Sequence, residues 1–133
     1  MNARIVIAVA ASWIALPAFA HHSFAMFDRS KEESKSATVK ELQWTNPHVW
    51  LQVLIADDKG KPHEWSMEAG ATGMLARNGW TSSTLKRGDK IGIVFNPSKS
   101  GELVGNLVRV TLADGRVLGP GGPPGPPPSK SVN

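Results

Sequence analysis

The sequence predicts an all-β domain with one short helix. Three observations carry this: apolar residues alternate with period two over several short runs, turn residues separate the runs, and only one stretch has helix-like start and stop signals. The strongest run is His48 to Ala56. Val49, Leu51, Val53 and Ile55 make one apolar face, and Trp50 and Leu54 stand on the other, so this strand is expected to be covered on both sides.

The remaining elements follow in order. Ala37 to Trp44 carries Val39, Leu42 and Trp44, and Thr45-Asn46-Pro47 breaks the run because proline restricts itself and its predecessor. Asp57-Asp58-Lys59-Gly60-Lys61-Pro62 has the composition of a hairpin loop. His63 to Ala69 returns, with Trp65, Met67 and Ala69 on one face and Glu64, Ser66 and Glu68 on the other. Thr72 is placed to cap a short helix through Met74, Leu75 and Ala76, which Asn78-Gly79 ends. A turn from Leu85 feeds a strand with Ile91, Ile93 and Phe95 in alternation, stopped by Asn96-Pro97, and Leu103 to Leu112 is the last strand. The order β-β-β-α-β-β is that of a five-stranded, OB-like antiparallel barrel. A two-sheet sandwich of the same strands is the alternative.

The ends of the chain differ from this middle. Arg4, an apolar stretch from Ile5 to Leu16 and the small-residue box Ala18-Phe19-Ala20 read as a signal peptide over residues 1–20, cleaved after Ala20. From Ile5 to Ala20 the leader is about 16 residues long, short of the roughly 20 a spanning helix needs, so no stable membrane insertion of the mature chain is expected. Residues 21–36 form an N-terminal arm. Phe24, Met26 and Phe27 are too apolar for a free tail, so the arm is expected to pack, while Asp28 to Ser36 is expected to be charged and exposed. The barrel domain spans 37–118, and 119–133 is a Pro/Gly-rich disordered tail. The expected location is the periplasm.

The chain has 133 residues, net charge +4 and no cysteine. About 100 residues remain for the folded part, enough for one modest core. Disulfides, thiolate metal sites and cysteine nucleophiles are excluded. Basic residues are scattered among acids rather than gathered in a stripe, which argues against a nucleic-acid partner.

The residues with chemistry to offer are histidines. Cleavage after Ala20 gives His21 a free α-amine beside its own imidazole, with the imidazole of His22 next to it. Copper(II) favours such nitrogen donors in tetragonal geometry, so copper is expected ahead of zinc. His48, at the start of the second strand, is a third candidate ligand. Antiparallel return of the next strand places Glu68 near it, either as a direct ligand or as a carboxylate that orients the ring. The same geometry sets His63 about seven residues away, roughly 23 Å at ~3.3 Å per residue, too far to share an ion, and His63 is read as a solvent-exposed loop residue. Met26, Met67 and Met74 match no Met-rich copper box and are read as core. No Gly-x-Ser-x-Gly, phosphate-cradling glycine loop or His-Glu-x-x-His is present. The expectation is therefore a non-catalytic binding protein with a metal site at His21, His22, His48 and Glu68. The alternative is a structural or adaptor module that meets a periplasmic protein or glycan partner through Trp44, Trp50, Trp65 and Trp80.

His21-His22-Ser23-Phe24-Ala25-Met26-Phe27-Asp28, Trp44-Thr45-Asn46-Pro47-His48-Val49-Trp50, Asn78-Gly79-Trp80 and Leu85-x-x-Gly88-Asp89 together resemble a small exported bacterial family of unknown function. The resemblance covers nearly all of the mature domain and leaves out the Pro/Gly tail. It implies a periplasmic, β-rich domain behind a signal peptide, and it implies no activity. His21, His22 and His48 all fall within its motifs.

Overall fold

A computed structural model describes residues 24–122. The expected leader, His21, His22 and residues 123–133 lie outside the described residues.

Among the described residues, a single 3-10 turn (Phe24–Met26) is followed by six strands and one short α-helix: β1 (Glu33–Gln43), β2 (Val49–Ala56), β3 (Pro62–Gly70), α1 (Thr72–Arg77), β4 (Lys90–Pro97), β5 (Val104–Thr111) and β6 (Val117–Leu118). The first five close into a barrel in the order β3-β2-β1-β4-β5, and β3 pairs with β5 to complete it. Every neighbouring pair is antiparallel except the closing one, where Ser66, Met67 and Glu68 run parallel to Val104, Gly105 and Asn106. The barrel is therefore mixed rather than antiparallel. The expected order β-β-β-α-β-β holds, with β6 a two-residue addition on β5.

Closure depends on β1. Its first half, Glu33 to Thr38, pairs with β4, and its second half, Thr38 to Gln43, pairs with β2. A register shift between Val39 and Glu41 lets one strand serve both sides. Glu33 to Ser36, expected in the exposed arm, are thus the beginning of a strand.

The inward rows are apolar. Val49, Leu51 and Val53 of β2 are fully buried, as are Met67 of β3, Ile93 and Phe95 of β4 and Val110 of β5. Gly105 lets β5 approach this core: a Cβ there would meet Phe95 at 2.5 Å and Met67 Sδ at 2.9 Å. Met74 packs against the core, whereas Met26 is 36% exposed.

The helix sits where β3 ends and buries Leu75. Thr72 is not its cap. Ala71 holds the N-cap position, and Asn46 of the β1–β2 loop supplies the oxygen instead, with Oδ1 accepting from the Thr72 backbone N–H at 3.2 Å and its hydroxyl at 2.9 Å. At the other end Asn78 is the C-cap and Gly79 takes the left-handed conformation that usually ends a helix.

Trp80 follows, 1% exposed, and its Nε1–H donates to the Gly119 carbonyl. Asn78 Nδ2 donates to the Pro120 carbonyl. Gly119 and Pro120, which the sequence assigns to the tail, are buried in this way.

Candidate functional site

The β2–β3 hairpin positions His48 and Glu68. Its turn is tight: the Asp57 N–H bonds to the Lys61 carbonyl at 2.9 Å. This sets Ala56 opposite Pro62 and Ile55 opposite His63, one step from the register in which Ala56 faces His63. Further along, Trp50 faces Glu68 but Val49 faces Gly70. The extra residue, Ala69, is a bulge that restores the pairing at the strand's end. Met67, Glu68 and Ala69 are consequently buried in succession, a break from strict alternation.

His48 Nδ1 lies 2.8 Å from Glu68 Oε1, with the histidine side chain 29% and the glutamate side chain 3% exposed. Glu68 belongs to the outward row of β3, since Met67 before it faces the core, yet it is buried. With Nδ1 turned to the carboxylate, Glu68 fixes the orientation of the ring. The sequence leaves Glu68 open as ligand or orienter, and the structure shows it in direct contact with the His48 ring.

The arm lies along the same wall. Phe27, 1% exposed and outside the main core cluster, bridges to Ser98. The Asp28 N–H donates to the Pro97 carbonyl, the Lys99 N–H to the Met26 carbonyl and Lys99 Nζ to the Ala25 carbonyl. Asn96 Nδ2 donates to the Lys31 carbonyl, Asn106 Nδ2 donates to Asn96 Oδ1, and Asn106 is the register neighbour of Glu68. An amide relay thus runs from the arm across β4 and β5 to the strand carrying the glutamate. Sequence reasoning missed it, although two asparagines in otherwise apolar strands were its signal.

Among the described residues no group of three or more His, Cys, Asp or Glu side chains converges as a metal cage. His48 and Glu68 are brought together; His21 and His22 lie outside the described residues.

His63 is not a loop residue but the second residue of β3, and its Nε2 lies 2.9 Å from Asp57 Oδ2. Of the tryptophans, Trp80 is core, Trp44 and Trp65 are half-buried against the core, and Trp50 is half-buried beside Glu68 in the ladder. No described helix is long and apolar enough to cross a membrane.

No curated protein and no solved structure matches the chain. A family model does, over residues 8–107, and the chain belongs to that family, DUF6152, a family of unknown function.

Proposed function

We propose that this is a periplasmic, non-catalytic binding protein that holds copper, ahead of zinc, at its mature N-terminus. Export frees the His21 amine, which chelates together with its own imidazole. His22 or His48 adds a further imidazole, and Glu68 orients the ring of His48. The observation that carries this reading is the 2.8 Å contact between His48 Nδ1 and buried Glu68, the arrangement in which a carboxylate orients an imidazole ligand. The donor set is nitrogen-rich with one supporting carboxylate, which suits copper(II). The docking of Phe27 and the Asn96–Lys31 bond support it further, because they hold the arm on the wall that carries Glu68.

The test is copper(II) titration of the mature chain starting at His21, read by calorimetry and by the copper d–d absorption band. His21→Ala and a chain retaining Met1 are expected to lose the site. Glu68→Gln is expected to weaken it by about tenfold or more, as removal of an orienting carboxylate does. Equal affinity in the wild type and His21→Ala would remove the proposal.

A further inference from the structure

At the end of the barrel away from α1, the inward rows change chemistry. Along β3 they run from Met67 to Trp65 to His63, which stands opposite Ile55. Along β1 they run from Val39 to Ala37 to Lys35, which stands opposite buried Ile93. An apolar lining thus ends in a histidine and a lysine around a cavity of about 290 Å³. Trp65 and Ile55 line its depth, the Trp65 ring packed 5.4 Å from that of Phe95. Leu103, 43% exposed, stands at its side, and Asp57 and Asp58 of the β2–β3 loop complete the rim. Barrel mouths are frequent ligand sites, and this one has the size for a small molecule.

We propose that this mouth binds a small zwitterion with an apolar body, the chemical class of a free apolar amino acid. The groups at the rim define it. Asp57 is already occupied: its Oδ1 accepts the backbone N–H groups of Lys59 and Lys61, each at 2.9 Å, and its Oδ2 faces His63 Nε2. The hydrogen bond from His63, then those from Lys61 and Lys59, hold its carboxyl below the ordinary 3.8. An ionised carboxylate only accepts, so His63 Nε2 donates to it. The Asp58 carboxylate at the rim suits an ammonium. The Lys35 ammonium suits a carboxylate. The indole and aliphatic side chains between them suit an apolar side chain. A simple cation would face Lys35, and a simple anion would face two aspartates. The mouth lies at the end of the β2–β3 ribbon opposite His48 and the proposed copper site.

The probes are L-leucine, 3-methylbutylamine, which lacks its carboxylate, and 4-methylpentanoate, which lacks its amine. Each is titrated into the mature chain, and the indole N–H resonance of Trp65 is followed by NMR, assigned with Trp65→Phe. Leucine is expected to move that resonance with a dissociation constant on the order of 1 mM. Each single-charge analogue should bind about tenfold more weakly, the effect of one lost charge-assisted hydrogen bond. Lys35→Ala should abolish the advantage over the amine, and Asp58→Asn the advantage over the acid. A Trp65 resonance unmoved by leucine overturns the proposal. So does leucine binding no better than the stronger analogue, and so does an advantage that survives both substitutions.

Discussion

His48 and Glu68 meet across a β-bulge, not across a regular ladder. Trp50 is the residue opposite Glu68, and the extra Ala69 brings the end of β3 level with the start of β2. The pair therefore depends on one inserted residue as much as on its own chemistry.

Truncating one member should cost more than replacing both. His48→Leu takes the imidazole from a carboxylate that is almost fully buried, and a loss of about 1–3 kcal/mol is expected. The double variant His48→Leu/Glu68→Met should recover part of that loss, because no buried charge is left behind. Urea unfolding of the two singles and the double closes the cycle; strictly additive losses would contradict it.

Asn46 acts as the cap of a helix it does not belong to. Asn46→Ala should destabilise the protein by about 1 kcal/mol, the usual cost of a lost N-cap. Backbone amide exchange should rise at Thr72 above all, since its N–H loses its acceptor. An unchanged exchange rate there would show the cap to be idle.

Gly105 has no room for a side chain. A methyl group would press on Phe95 and Met67, so Gly105→Ala should cost about 1–3 kcal/mol of stability, the range for overpacking a core. Thermal unfolding measures it, and Gly60→Ala, at a site with open space around it but a positive φ, is the comparison for backbone strain alone.

Acid should weaken the hairpin in a stated direction. Asp57 binds its proton less readily in the fold than in the unfolded chain, whose ordinary value is 3.8. Its contribution is present in full above that value and is lost as pH falls below it toward the lowered folded value. Asp28, held down first by the Ser30 hydroxyl, and Asp114, held down first by the Arg116 backbone N–H, act in the same sense. Asp57→Asn should flatten the fall in stability below about pH 4. Chemical denaturation at a series of pH values tests this.

Much of the barrel was legible in the sequence because β2 obeys strict alternation and the Asp57–Pro62 loop fixes its return. That placed Glu68 beside His48, even though the assumed hairpin was one step off and the bulge that compensates left no mark in composition. The closing pair was not legible: Ser66 to Glu68 and Val104 to Asn106 are far apart in the chain, and parallel pairing carries no local turn. Nor was the first half of β1, since Glu33, Ser34, Lys35 and Ser36 have poor strand propensity and are held by β4. Asn46 read as a turn residue because its partner is 26 residues away. His63 read as loop because its place in the inward row follows from a register that the sequence does not fix.

The length of the β2–β3 ribbon has a thermodynamic consequence. His48 stands at one end and His63, opposite Ile55, at the other, about seven ladder steps or roughly 23 Å apart. Charges so far apart lie beyond the roughly 8–10 Å over which salt lets them interact. Saturating either proposed site should leave the dissociation constant at the other untouched, with a coupling free energy near zero.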